Sequence, residues 1–570
     1  MLRRYVLILL AFATCITTLL NSQTNVLTWH NNNWRDGLNS TETVLNQANV
    51  TPKQFGKLCS AVFDGQVYGQ PLVVSSGSAS TVYVATMNDS VYSVNGSNCQ
   101  IINHVSLLQT GEEAMQCTDV GGGQCHMMSP TLGILGTPVI DPTTNTIYLV
   151  SEAESDSGQC AAGSKKKPPS CYVDRIHALD LTTLAEKFSG PVVIAGSFGK
   201  TSYTAFNHNQ RPGLLLLEGA MANGDSGVYV GLSSIGGSGA PGVNVPSGWV
   251  FGYDAQNLGA TPYSWITTLD GEGGGVWASG AGIAAGLDSP GGATYLYLVT
   301  GDGDFNANTG GADYGDSFVK LTTNLEPSAY FTPFAQACMN PEDDDFGSGG
   351  AMLIPDSGST YFAVATSKPG VVYAMNRANP GGYKPPRNST CPAVGKNLDL
   401  ESFLGSQHQY YTTPVTWNSQ MYTVAMFDQI AKYQLNLGTA VCQSAPICTN
   451  NVAKTSILLQ YGTNLSLSSS GVTTGTAILW AAAGNGWPTA TAPASAILYA
   501  FDAEHVTSSV VPELWDSTKC PTRDKPGNGT KFILPTIANG LVYLGSMDPT
   551  DTTNTRGELD VFGLTTATCN

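Results

Sequence analysis

The sequence predicts an all-β protein built as one eight-bladed β-propeller. Three observations carry this expectation. Thr81 to Asn95, TVYVATMNDSVYSVN, holds two β-rich runs, Val82-Tyr83-Val84 and Val91-Tyr92-Ser93-Val94, around the turn-tolerant pair Asn88-Asp89. The same paired unit is written eight times, with its first aromatics at Tyr83, Tyr148, Tyr229, Tyr297, Phe362, Tyr422, Trp480 and Tyr543. Ahead of most pairs lies a third apolar run opened by proline or glycine, and after several comes a fourth. A lone hairpin is marginal in water and must stack on something. Four short strands per ~65 residues, restarted eight times, is propeller arithmetic, though the period exceeds the ~40–50 residues of WD40 or kelch units.

The units follow in order. After the first come Ile147-Tyr148 with Ile176 to Asp180, Val228-Tyr229 with Val250 to Asp254, and Leu296-Tyr297 with Phe318 to Leu321. Then come Tyr361-Phe362 with Val372 to Met375, Met421-Tyr422 with Ala431 to Tyr433, Leu479-Trp480 with Leu498 to Asp502, and Val542-Tyr543 with Leu559 to Phe562. Runs such as Gln70-Pro71-Leu72-Val73, Thr137-Pro138-Val139-Ile140 and Thr413-Pro414-Val415 read as innermost strands, while Tyr263 to Ile266 and Pro512 to Trp515 read as outermost ones. Before the first unit, Trp29 to Asn39 is an irregular polar and aromatic segment, and Phe55 to Phe63 looks like a strand. The last unit ends one strand short. Leu58 to Phe63 is therefore expected to be its outermost strand, removing a free edge and tying the two ends of the chain together.

Each unit needs its neighbours to bury both faces, so residues 23–570 are expected to form a single domain despite their length. Charged residues are only 12%, Gly numbers 64 and the formal net charge is -17. That charge excludes nucleic acid and anionic membrane as partners, because the phosphate term would be repulsive. Met1 to Arg4 followed by the apolar run Tyr5 to Leu20 reads as a secretory signal over residues 1–22, with a retained amino-terminal anchor as the alternative. No later run is long enough to span a bilayer. Twelve cysteines remain after Cys15, an even number that suits a secreted or periplasmic protein. Cys117/Cys125, Cys160/Cys171 and Cys442/Cys448 lie close enough to staple single loops. Cys59, Cys99, Cys338, Cys391, Cys520 and Cys569 would pair over longer distances, with connectivity open.

The opening of the chain resembles the pyrroloquinoline-quinone (PQQ) dehydrogenases, the eight-bladed quinoproteins. The residues concerned are Trp29, Arg35, Leu45, Asn49-Val50 and Lys57-Leu58, then Pro71-Leu72-Val73 and Val82-Tyr83-Val84. Closer still is the resemblance to secreted bacterial PQQ-like propellers, through Gly136 to Pro142, Gly248 to Ala255, Thr300 to Gly303 and Asp345 to Gly350. The resemblance spans almost the whole mature chain and implies the quinoprotein fold, and PQQ with calcium as the possible cofactors. Against the quinone stand three departures. Two adjacent cysteines are nowhere found, the blade motif Ala-x-Asp-x-x-Thr-Gly-x-x-x-Trp survives only in degenerate form at Asp254 to Trp265 and Asp502 to Trp515, and no C-x-x-C-H haem signature occurs.

Three groups could carry chemistry. Asp302, Asp304 and Asn306 place side-chain oxygens at alternate positions, with Asp313 at the twelfth, as in a calcium loop; Ala307 stands where an EF-hand needs Gly, and the same residues also suit a plain turn. Glu342 to Asp345 is an acidic approach to a strand, with Asp345 nearest the axis. His208, Arg211 and His408 precede innermost strands, where a basic set could hold an anionic ligand, against the reading that lone histidines are structural. The ligand-binding candidates are thus His208, Arg211, His408 and Asp345, and the cation candidates Asp302, Asp304, Asn306 and Asp313. Together these point to a propeller that binds a small molecule, glycan or protein. The alternative is a PQQ- and calcium-dependent dehydrogenase of alcohols or sugars with a divergent site.

Overall fold

The computed structural model describes residues 24–77, 79–119, 128, 130–161, 167–234, 245–355, 361–385, 401–435, 453–460, 462–484 and 495–569. The cysteines 15, 125, 391, 442 and 448 and the region read as a signal lie outside them. Eight antiparallel sheets follow one another, each of four strands paired in chain order from an innermost to an outermost strand. Blades 1 to 7 span residues 72–106, 139–193, 215–266, 284–332, 352–404, 415–455 and 464–516. Blade 8 takes its first three strands from residues 536–564, and Phe55–Phe63 lies antiparallel along Gly557–Leu564 as its fourth. Short parallel additions, Gly382–Tyr383 and Val510–Val511, cover the outer edges of blades 4 and 6. One seven-residue α-helix, Gln336–Glu342, occurs among the described residues, and no helix is long and apolar enough to cross a membrane.

The core is partitioned between blades, as expected where each sheet buries both faces. One apolar cluster joins blades 2 and 3 through Tyr148, Val150, Trp249 and Phe251. Another joins blades 6 and 7 through Tyr422, Val424, Leu479 and Phe501. A third closes the ring by packing Tyr543 and Val561 of blade 8 against Val82 and Tyr83 of blade 1.

The recurrent tyrosine of the second strand has a specific reason. Tyr83 donates its hydroxyl to the Leu181 carbonyl of blade 2 at 2.8 Å, Tyr148 to Ala255 of blade 3 at 2.9 Å, and Tyr229 to Thr323 of blade 4 at 2.7 Å. Tyr422 does the same to Ala503 of blade 7. Each acceptor lies in the turn after the next blade's third strand. There Asp180, Asp254 and Asp502 accept from the backbone N–H groups two and three residues on. The period therefore writes a bolt from blade to blade. Tyr148→Phe is expected to lower unfolding free energy by about 1–2 kcal/mol, because it leaves the Ala255 carbonyl without its donor. Urea denaturation would show it, and an unchanged midpoint would contradict the bolt.

The irregular segment at the start has an architectural role that its composition did not reveal. Val26 exchanges two backbone bonds with Val73 of blade 1, and the Leu27 carbonyl accepts from Ile140 of blade 2 at 2.8 Å. Thr28 Oγ1 donates to Leu214 of blade 3. The carbonyls of Asn33, Trp34, Asp36 and Gly37 then accept from Ala285, Leu353, Thr416 and Leu467 of blades 4, 5, 6 and 7, and Asn39 Nδ2 donates to Ile537 of blade 8. Residues 26–39 thus form a belt that touches the eight inner strands in order. Gly37 sits at φ +72°, where a Cβ would strike Val415, so the belt needs glycine at this bend.

Cys59–Cys99 ties the closing strand of blade 8 to blade 1, and Cys160–Cys171 and Cys520–Cys569 are also bonded. Cys117 and Cys338 are in disulfides as well.

Candidate functional site

Three carboxylates meet between blades 4 and 5. Asp302 follows the second strand of blade 4, Asp316 precedes its third, and Asp345 lies on the loop leading to the inner strand of blade 5. One oxygen of each lies within 4.8 Å of the others. The backbone holds them there. Asp345 Oδ1 accepts from the Asp302 N–H at 2.8 Å, and Asp316 Oδ1 accepts from the Phe346 N–H at 3.0 Å. Gly301 permits the approach, since a Cβ there would meet Asp345 Oδ1. Asp302 Oδ1 and the fully buried Asp316 Oδ2 meet no N–H or hydroxyl donor, and the two carboxyls are close enough to share a proton in a hydrogen bond with each other.

Lys368 Nζ pairs with Asp345 Oδ2 and reaches Asp343 Oδ1 at 2.7 Å. Burial works against its charge, but Asp345 and Asp343 together hold its ammonium above the usual range. Burial, then Asp345 and Asp316, push the Asp302 carboxyl up to about 10. Burial and Asp345 drive Asp316 upward too. Two carboxyls so placed stay charged together only if a cation sits between them. Three hard oxygen donors in one place suit calcium.

This is not the alternating set expected from sequence. Asp302 turns toward Asp345, while Asp304, Asn306 and Asp313 stitch two loops together. Asp304 Oδ2 accepts from the Glu272 N–H at 3.0 Å, and Asp313 Oδ1 accepts from Asp270 and Gly271 at 2.9 and 3.1 Å. Asn306 exchanges bonds with Asp313 through its side-chain amide and carbonyl. Asp316 was missed. It lies in an unremarkable Gly-Asp-Ser turn, and only pairing of the strands around it brings it beside Asp302.

The basic candidates do not assemble either. The buried His208 sets its two ring nitrogens against the carbonyls of Thr204 and Ser247 at 2.7 and 2.9 Å, and burial lowers its pKa. His408 is exposed in an outer cleft of about 300 Å³ with Asp428 and Lys454. Arg211 alone reaches the axis. Its guanidinium, 2% exposed, lies 6.0 Å from the Tyr68 ring of blade 1 and 5.8 Å from Phe532, in the loop leading to blade 8. It donates to the carbonyls of Leu135 and Lys531 at 3.2 and 3.5 Å. Burial lowers Arg211 to about 10 and the buried Lys531 to about 7. Gly280, at φ +98°, allows the fit, as a Cβ would collide with Arg211. Beneath this level Trp29, Ala278, Ala281 and Leu534 pack together. The levels are joined by Ser279 Oγ, which donates to Ser348 on the loop that carries Asp345, at 2.7 Å.

No protein-family model and no curated protein matches this sequence. Solved structures match in shape. A europium-containing methanol dehydrogenase superposes over 96% of this chain and 99% of its own, with 13% identity and a TM-score of 0.57. The quinohemoprotein alcohol dehydrogenase of Comamonas testosteroni covers 96% of this chain and 81% of its own, at 12% identity and a TM-score of 0.54. The fold is that of the quinoprotein alcohol dehydrogenases. A quinoprotein-type propeller conventionally reads as an enzyme scaffold, but identities this low establish shape and leave chemistry to the residues themselves.

Proposed function

We propose that this quinoprotein-type propeller is a cation-dependent binding protein. Its site would be the Asp302–Asp316–Asp345 cluster, with Arg211 near the axis to attract an anionic ligand. The observation that carries the reading is the convergence of three carboxylates, two of them without any N–H or hydroxyl donor on one oxygen and one of these fully buried. The cation would neutralise the cluster, and its free coordination positions would take an oxygen of the ligand. Disulfides agree with an extracytoplasmic setting, where calcium is plentiful.

The test is binding of calcium and of luminescent terbium to chelator-treated protein. Saturable binding with a rise in melting temperature supports the reading, and no binding at millimolar calcium removes it. The second reading, a PQQ-dependent dehydrogenase, is favoured by the similarity to a methanol dehydrogenase and by the same carboxylates, which would hold the cation beside a quinone. Reduction of an artificial acceptor by calcium-loaded protein given PQQ and an alcohol would select it over the first.

A further inference from the structure

A second set of buried acids lies on the other side of Arg211, and the site reading does not use it. Glu152 and Asp174 face each other directly across the two central strands of blade 2. Asp89, in the hairpin turn of blade 1, accepts from the Glu152 N–H at 3.2 Å. All three are 0% exposed, and each keeps one oxygen without a partner, namely Asp89 Oδ2, Glu152 Oε2 and Asp174 Oδ1. The charged neighbours do not balance them. Arg175 is engaged by Glu112 through bonds of 3.0 and 2.6 Å. Lys167 serves Glu154 and Asp119 at the far end of the strand. His177 bonds Ser151 and Glu186. The cluster also meets two phenols, Tyr203 of the connection between blades 2 and 3, which donates to Asp174, and Tyr253 of blade 3. Three carboxylates cannot all be charged in such a place.

One bond connects this cluster to the axis. Glu152 Oε1 accepts the backbone N–H of Gln210, the residue before Arg211. We propose that Glu152, Asp174 and Asp89 form a proton-sharing latch where the Arg211 loop meets blades 1 and 2, and that like charge forces this junction apart as the protons leave on going to alkaline pH, although the Gln210 N–H bond itself is stronger to a charged Glu152. The direction agrees with the carboxyls' shifts. Burial raises Asp174 to about 7 and drives Glu152 and Asp89 well above the ordinary carboxylate range. Groups that hold protons more tightly in the folded chain favour folding at low pH. That advantage fades as pH climbs from the ordinary carboxylate range through the folded values.

Urea unfolding of the full protein from pH 5 to 9, in saturating calcium so that the Asp302 cluster is silent, gives one readout. The unfolding constant should rise by up to about tenfold per pH unit for each proton lost. Glu152→Gln and Asp174→Asn should each flatten that slope. Infrared spectra of wild type at pH 7 should show a protonated-carboxyl band that weakens in both variants. Hydrogen exchange of the two blade 2 strands around Glu152 and Asp174, corrected for intrinsic rate, should quicken with pH in wild type and less so in Glu152→Gln. Unchanged slopes, or a carboxyl band indifferent to both substitutions, would overturn the latch. So would destabilisation of wild type by a chelator at pH 7 that Glu152→Gln escapes and Asp316→Asn does not, since a cation would then hold the cluster. If Glu152→Gln fails to fold, Asp174→Asn and the wild-type band still decide.

Discussion

Asp316→Asn is expected to weaken cation binding at least 100-fold, about 2.7 kcal/mol, while the fold persists. The amide keeps the shape of the carboxylate, and its oxygen can still accept from the Phe346 N–H, so blades 4 and 5 stay joined. What disappears is the charge whose second oxygen meets no N–H or hydroxyl donor. In wild type a cation at one hundred times its dissociation constant should add about 2.7 kcal/mol to unfolding free energy. The variant should show almost none of that gain under the same conditions. Without cation the two proteins should differ in pH response. In wild type the folded Asp302 and Asp316 keep protons that the unfolded chain releases near the ordinary aspartate value. Cation-free wild type should therefore lose stability as pH rises above about 4, continuing toward the folded value of Asp302 near 10. With Asp316 neutral, that decline should flatten. Terbium luminescence and calorimetry with and without chelator measure both effects. Equal cation affinity in variant and wild type would show that the three carboxylates are held by protons alone.

Arg35→Met should cost about 5 kcal/mol and loosen the belt from the blades. Arg35 is 0% exposed, and its nearest anchors are neutral. Nε donates to Ile283 of blade 4 at 2.9 Å, Nη2 to Leu214 of blade 3 at 3.2 Å, and Nη1 to the Trp29 carbonyl at 2.9 Å and to Thr28 Oγ1 at 2.6 Å. Methionine fills much of the volume and satisfies none of these acceptors. The carbonyls of Ile283 and Trp29 lose their donor and Leu214 keeps only the long bond from Thr28, at about 1–3 kcal/mol each, which gives the magnitude. Burial already lowers the Arg35 pKa to about 9, a sign of how few counter-charges surround it. The loss should appear as a lower urea midpoint and as early proteolytic cleavage within residues 26–39. Arg35→Lys should recover little of it, since one ammonium cannot span acceptors on two blades and the belt. A midpoint within 1 kcal/mol of wild type for Arg35→Met would mean the belt is dispensable to the ring.

These two residues show where local reading stops. Arg35 was noticed as part of a family-like opening, yet nothing nearby says that Ile283 and Leu214 wait for its guanidinium some two hundred residues away. Asp316 carries no local signal, because its partner carboxylates come from a strand end fourteen residues earlier and from another blade. The alternating acids at Asp302, Asp304, Asn306 and Asp313 looked like one loop site, but side chains that can cap backbone N–H groups do so, and three of the four are spent that way. Likewise the basic candidates shared a position before inner strands, but His208 packs into its own blade and His408 faces outward.

Sequence by itself determined the eight-fold repeat, the strand order within each unit and the place of the closing strand. All of these follow from spacing within one unit or between adjacent units, where period and polarity are enough. Only the tertiary structure decided which acids converge, which arginine reaches the axis, that the opening segment bonds to all eight blades in turn and which tyrosines bolt neighbouring blades. Those contacts join residues far apart in the chain, and their energies come from burial without a partner, a quantity that exists only once the ring has closed.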